Sequence, residues 1–265
     1  MCTILIARDL HPSYPLLIVA NRDEHLDRPA TGPQVMAHNP TIFAGRDLLA
    51  GGTWMGVTEA GFFVGITNQP SSGGSDPALK SRGQLVLRAL KTNDLQGVTR
   101  WLSALRVRQY NPFNLLFGTA SALRVAYARP GQDHPTIETV PTGLHVLPND
   151  TLNSAGFPKV ARAKRLLRYT PPKRLFEAMQ RVIADTSVPH RVPITPGSAI
   201  SELPEPTRAA LHALCVRMPP NSPMAYGTRS ATAIALVHGG VARYRFAPGP
   251  PNTAAFTDRL GAWQS

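Results

Sequence analysis

Met1-Cys2-Thr3-Ile4-Leu5-Ile6-Ala7, followed after a short break by Leu16-Leu17-Ile18-Val19-Ala20-Asn21-Arg22-Asp23-Glu24, is the stretch on which the fold turns. The two apolar runs, Cys2–Ala7 and Leu16–Asn21, flank the turn residues His11-Pro12-Ser13 and so predict a β-hairpin. The first strand leads away from Cys2 and the second returns toward it, which brings Asn21-Arg22-Asp23-Glu24 back beside the thiol. A solvated turn is the plain alternative for those four polar residues. Position gives Cys2 its interest. Once the initiator methionine is removed, one carbon carries both a thiol, titrating near ~8.5, and a free α-amine, titrating near ~7.7–8.0. An unprotonated amine can then act as base toward its own side chain. In that arrangement Asp23 holds the α-ammonium and Arg22 lowers the thiol pKa.

Outward from the hairpin, Thr53–Thr58 and Phe62–Thr67 flank Glu59-Ala60-Gly61 and repeat the strand-turn-strand pattern. Two helices follow: Gly83–Lys91, with Ser81 as a cap, and a segment from Asn93-Asp94 to Leu105. Short strands return at Asn114–Thr119, Leu123–Ala128, Thr136–Val140 and Leu144–Leu147. Helical periodicity resumes over Lys159–Tyr169, Leu175–Asp185 and Pro206–Leu214, with Pro189–Pro206 irregular. Thr228–Val237 and Val241–Phe246 close on His238-Gly239-Gly240, a hairpin signal. Strands bracket the chain and helices fall in separate groups. That order predicts an α+β sandwich of mainly antiparallel sheets in one domain spanning residues 1–265, not a doubly wound parallel sheet.

The 265 residues carry 28 Lys+Arg against 16 Asp+Glu, a formal charge of +12, which favours anionic partners. The basic residues are scattered except from Lys159 to Arg174, where Val160, Ala163 and Leu167 at helical spacing predict an amphipathic helix with a solvated basic face. No zinc-finger, RNA-binding or basic-zipper signature accompanies them, so a specific nucleic-acid partner is not expected. A small anionic or acyl ligand accounts for the charge equally well. The eight histidines show no zinc spacing, and no metal or cofactor is expected. No apolar run reaches the roughly 18 residues of a spanning helix, and two cysteines make no disulfide framework. Both point to a cytoplasmic protein. Cys215 is expected in a buried helix.

Three more segments end a strand in polar groups: Gly65-Ile66-Thr67-Asn68, Leu152-Asn153-Ser154 and Tyr226-Gly227-Thr228-Arg229-Ser230. Acyl transfer through a thiolate generates an oxyanion, to which the side-chain amides of Asn68 and Asn153 are suitable donors. Arg229 offers a planar fork to a thiolate, carboxylate or phosphate. Gly51-Gly52-Thr53-Trp54 lacks the Lys-Ser/Thr of a phosphate loop and leads into a strand. Its glycines read as a tight turn or bulge and Trp54 as core or a pocket wall.

Taken in order, Cys2, Asn21-Arg22-Asp23-Glu24, Gly51–Gly56, Thr67-Asn68, Asn111–Gly118, Phe157–Val160 and Tyr226–Ser230 resemble the NRDE-motif proteins, relatives of transport and Golgi organisation protein 2. That family is similar to N-terminal nucleophile hydrolases of the choloylglycine hydrolase and penicillin V acylase kind. The resemblance implies a four-layer αββα fold and amide-bond hydrolysis. It implies Cys2 as nucleophile, Arg22 and Asp23 as its charged neighbours, Asn68 and Asn153 as oxyanion or orienting groups, and Arg229 as a distal arginine. The expected function is hydrolysis of a non-peptide amide or thioester. The alternative is a non-catalytic carrier of an anionic hydrophobic ligand such as haem or an acyl-CoA.

Overall fold

The structure, a computed structural model, describes residues 2–70, 74–190, 192 and 202–263. Strand β1 (Thr3–Arg8) alternates its side chains between two cores. Ile4 and Ile6 join Leu16, Ile18 and Ala20 of β2 (Leu16–His25) on one face, while Leu5 and Ala7 join Leu17 and Val19 on the other. The hairpin forms as expected, with Thr3 opposite Asn21 and Arg8 opposite Leu16. Its second strand runs further than its apolar part. Asn21, Arg22 and Asp23 are buried strand residues, not a solvated turn.

Eleven further strands complete two sheets. β3 (Gln34–His38), β4 (Thr41–Ala44), β5 (Met55–Thr58), β6 (Phe63–Asn68), β7 (Phe113–Gly118), β8 (Leu123–Ala128) and β9 (Thr136–Thr139) form a seven-stranded sheet in chain order. The other sheet holds six strands, ordered β10 (Gly143–Leu147), β1, β2, β11 (Tyr226–Val237), β12 (Gly240–Ala247), β13 (Thr257–Asp258). Every ladder is antiparallel. Phe43, Val57, Phe63, Leu116 and Val125 pack from the larger sheet against the inward face of the hairpin, forming the central core.

Helices cover the outer faces. α1 (Gly83–Thr92) and α2 (Leu95–Ser103) lay Leu85, Val86, Leu90, Val98 and Leu102 on the seven-stranded sheet. α3 (Pro158–Leu167) and α4 (Leu175–Val182) lay Val160, Ala163, Phe176 and Met179 on the six-stranded one. A shorter α5 (Glu205–Leu211) follows. The result is the αββα sandwich, with an apolar core between each pair of layers. No helix among the described residues is long and apolar enough to cross a membrane.

Several local expectations change. β3 and β4 went unforeseen because Gln34–His38 is half exposed and bulged between Val35 and Ala37, which breaks the alternation. Ser81 does not cap α1; the helix starts after Arg82 with no side-chain cap. Asp94, by contrast, accepts from Gly97 N and caps α2. Cys215 is buried, yet it lies beyond the end of α5. The basic face of α3 is not wholly solvated: Lys159 is 1% exposed and Arg162 pairs with Asp185. Most of Pro189–Pro206 lies outside the described residues.

Candidate active site

Cys2 precedes β1, and the strand alternation turns its side chain to the same face as Ile4 and Ile6. There it lines a cavity of about 460 Å³ together with Arg22, Trp54, Ile66, Asn68 and Arg82. Both sheets contribute walls. Cys2 and Arg22 come from the six-stranded sheet, whereas Ile66 and Asn68 come from β6 of the other. Burial pushes the Cys2 thiol above its ordinary pKa, and the nearby Asp23 charge pushes the same way. The thiol faces the Asp23 carbonyl at 4.0 Å.

Asp23 lies on the opposite face of β2 from Arg22, toward the helices. Thr228 Oγ1 donates to its carboxylate at 2.6 Å, and Tyr226 OH donates to its carbonyl at 2.7 Å. Burial raises the Asp23 pKa, opposed by the positive charge of Lys159 and by the Thr228 hydrogen bond. Lys159 Nζ donates to Thr3 Oγ1 at 3.2 Å, and burial lowers its pKa while Asp23 and Cys2 support its charge. His212 belongs to the same polar layer. Burial and then Lys159 bring its pKa down to about 4, and among the described residues its Nδ1 has no hydrogen-bond partner.

On the far wall, Asn68 ends β6 with its side chain exposed to the cavity, and its amide makes no hydrogen bond with any described residue. Its backbone is held in place by neighbours that sequence reasoning assigned no role. Asn149 Nδ2 donates to the Asn68 carbonyl at 2.6 Å. Thr67 Oγ1 donates to the Pro148 carbonyl at 2.9 Å, and Asn114 Nδ2 donates to Thr67 Oγ1 at 2.9 Å and to the Asp150 carbonyl at 2.8 Å. Three buried polar side chains thus tie the end of β6 to the segment after β10. Asn114 sits inside the quoted Asn111–Gly118 motif, so a signal for it existed. Asn149 follows Pro148 as an ordinary turn residue and gave none.

A tight turn shapes the mouth. Asp47 Oδ1 accepts from Leu49 N at 3.0 Å and Ala50 N at 3.2 Å, Gly51 takes φ +69°, and Arg28 holds Asp47 Oδ2 at 2.7 Å. A side chain on Gly52 would meet the Gly83 backbone at 2.6 Å, so only glycine lets this turn approach the start of α1. Gly51 and Gly52 therefore form the expected tight turn, and Trp54 is a cavity wall.

The six sequence-derived residues do not all converge. Cys2, Arg22, Asp23 and Asn68 do. Asn153 does not line the cavity: it takes φ +61°, its Oδ1 accepts from Val146 N at 3.0 Å, and its Nδ2 faces His145 Nδ1 at 2.9 Å. Its amide is engaged in closing the loop after β10 and does not reach the cavity where an oxyanion would form. Arg229 is also absent from the cavity. It is the extra residue of a bulge in β11, where Thr228 faces Asp23 and Ser230 faces Arg22, and its guanidinium donates to the Leu26 carbonyl.

Two antiparallel sheets between helical layers, with Cys2 opening on a cavity lined from both, make this an N-terminal nucleophile hydrolase-like fold. The chain is similar in structure to a Caenorhabditis elegans N-acylethanolamine-hydrolyzing acid amidase (NAAA) ortholog, with a TM-score of 0.53 at 13% identity over 88% of this chain and 92% of that one. It is likewise similar to a conjugated bile acid hydrolase from Clostridium perfringens, with a TM-score of 0.52 at 10% identity over 97% and 92%. In sequence, the protein belongs to the Transport and Golgi organisation 2 family, whose model matches residues 1–245. The Transport and Golgi organization protein 2 homolog of Bos taurus is 28% identical over 88% of each chain, and the Mus musculus homolog is 28% identical over 91% and 90%.

Proposed function

We propose that the protein is an N-terminal cysteine hydrolase acting on a non-peptide amide or a thioester. The observation that carries this reading is the opening of Cys2 and Asn68 onto one cavity from opposite sheets, with the Asp23 backbone carbonyl beside the thiol and the Asp23 charge acting on it. In the mature chain, freed of Met1, the α-amine of Cys2 accepts the thiol proton. The sulfur attacks the substrate carbonyl carbon, and the resulting oxyanion takes a hydrogen bond from the Asn68 amide. The ammonium, held by Asp23, returns its proton to the leaving amine or thiolate as the carbon–heteroatom bond breaks. A thioester remains on Cys2. Water, deprotonated by the same amine, then releases the acid and regenerates the thiol.

Free thiols at Cys2 and Cys215 suit a reducing cytoplasmic setting for this chemistry. The test is single-turnover reaction of Met1-free protein with a panel of acyl amides and acyl thioesters, read by mass spectrometry. A covalent acyl adduct on Cys2, lost in Cys2→Ala, is the expected result. Ligand binding with neither adduct nor hydrolysis, the same in wild type and Cys2→Ala, would replace the hydrolase by the carrier.

A further inference from the structure

The cavity is lined by four basic side chains, Arg22, Arg28, Lys80 and Arg82, and four acidic ones, Asp23, Glu24, Asp47 and Asp76, and these are unevenly paired. Arg28 is engaged with Asp47 at 2.7 Å and Glu24 at 3.8 Å. Lys80 donates to Gln109 Oε1 at 2.8 Å, and Asp76 accepts from Ala78 N at 2.8 Å. Two guanidiniums, those of Arg22 and Arg82, have no carboxylate within ion-pair distance among the described residues. Arg22 is 5% exposed, yet it makes no hydrogen bond or ion pair with any described residue; its contact is the face of Trp54, 4.5 Å from the ring centroid. Arg82 gives Nη1 to the Pro112 carbonyl at 3.0 Å and has no carboxylate partner among the described residues.

The Arg22 guanidinium opens onto the cavity with no acceptor for its N–H groups among the described residues, so its donors are available to a ligand there. Stacking on Trp54 orients the Arg22 fork but satisfies no N–H. The start of α1 adds a third positive element. Gly83, the first residue of this ten-residue helix, lines the cavity, and the helix has neither a side-chain cap nor an acidic residue in its first turn. Its positive dipole end therefore faces the same space as the two arginines.

We propose that Arg22, Arg82 and the amino end of α1 form a receptor for an oxyanion, a carboxylate or phosphate group of the ligand, beside Cys2. As a statement about binding it stands on the cavity alone. As a statement about substrate it rests on the hydrolase reading, and it then specifies an acyl compound whose anionic group lies close to the scissile bond. The planar Arg22 fork suits the paired oxygens of either group. Arg82 reaches the site from the loop ahead of α1 and closes the other side.

Binding measured in the Cys2→Ala protein separates this proposal from the chemistry. The probes are dodecanoylglycine, dodecyl phosphate and the neutral dodecanoylglycinamide, titrated calorimetrically at low and high salt. At least one anionic probe should bind tenfold or more tighter than the neutral amide, and added salt should weaken that preference. Arg22→Gln and Arg82→Gln should each reduce affinity for the preferred probe tenfold or more, with Arg22→Lys restoring only part. Exposed Arg46→Gln, outside the cavity, should change nothing. The ratio of the two anionic probes identifies the group. Arg82 is less buried than Arg22 and precedes α1 in a loop, so Arg82→Gln tests the site even if Arg22→Gln fails to fold. Equal binding of charged and neutral probes, or unchanged affinity in folded Arg82→Gln, would overturn the proposal. Loss of hydrolysis with the anion preference intact would instead count against the hydrolase alone.

Discussion

Asn149 donates its side-chain amide to the carbonyl of Asn68 at 2.6 Å, joining the segment after β10 of one sheet to the end of β6 in the other. The bond crosses the sandwich beside the cavity and fixes the backbone from which the Asn68 amide projects. Asn149→Ala should cost about 0.5–1.5 kcal/mol of stability, because it removes the hydrogen bond to the part-buried Asn68 carbonyl. It should also lower kcat roughly 10–100-fold by loosening the oxyanion donor. Denaturant unfolding and steady-state kinetics on the same preparation check both. A stability loss with kcat intact would make the contact structural only.

Burial holds the Cys2 thiol protonated at neutral pH while Met1 remains attached. Removing Met1 converts the preceding amide into an amine and puts an ammonium next to the sulfur, which favours the thiolate. Iodoacetamide should therefore label Cys2 at pH 7 at least several-fold faster in Met1-free than in Met1-bearing protein. Cys215, 1% exposed and with Sγ 3.3 Å from Asn252 Oδ1, should resist labelling in both. Peptide mapping reads the two sites separately, and intact-mass measurement of native protein should show a chain beginning at Cys2.

His212 gives the acid limb of the stability curve. Its folded pKa, about 4, lies below the ordinary 6.5, so the unfolded chain binds the extra proton first. The stability it contributes is complete above pH 6.5 and is lost as pH falls toward 4. The full span is worth about 3 kcal/mol at most. His212→Gln should flatten urea-measured stability between those limits relative to wild type. Asp23 works in the opposite direction through its raised pKa, so the comparison is between the two proteins, not within one curve.

Asn153 separates turn chemistry from acyl chemistry. Asn153→Ala loses two side-chain hydrogen bonds and places a non-glycine residue at φ +61°, so it should destabilise by about 1–2 kcal/mol. Asn153→Gly, relieved of the backbone strain, should recover part of that. Neither should change kcat by more than about twofold, because the side chain does not reach the cavity. A large kcat loss in the glycine variant would restore Asn153 to the site.

What sequence revealed follows the range of the interactions involved. The hairpin of β1 and β2 was legible because period-two apolar runs and a turn are local signals, and antiparallel geometry alone carries Arg22 and Asp23 to Cys2. Asn68 was legible as a polar residue ending an apolar strand. Arg82 and Asn149 were not, since their significance depends on contacts with residues far away in the chain. Arg229 misled for a related reason. A strand pattern does not show the bulge that turns its side chain toward Leu26. Lys159 misled too, because helical spacing marks Val160 and Ala163 as buried while the adjacent lysine reaches inward to Thr3.

The nucleophile candidate stands at the very start of β1, a strand held between β10 and β2 in the interior of its sheet. Whatever is joined ahead of Cys2 is therefore fastened at the cavity itself. Under the proposed hydrolase mechanism an affinity tag on the amino end denies the α-amine its freedom, and such a preparation should show no turnover. A purification handle joined after β13, an edge strand of the same sheet, leaves the α-amine free.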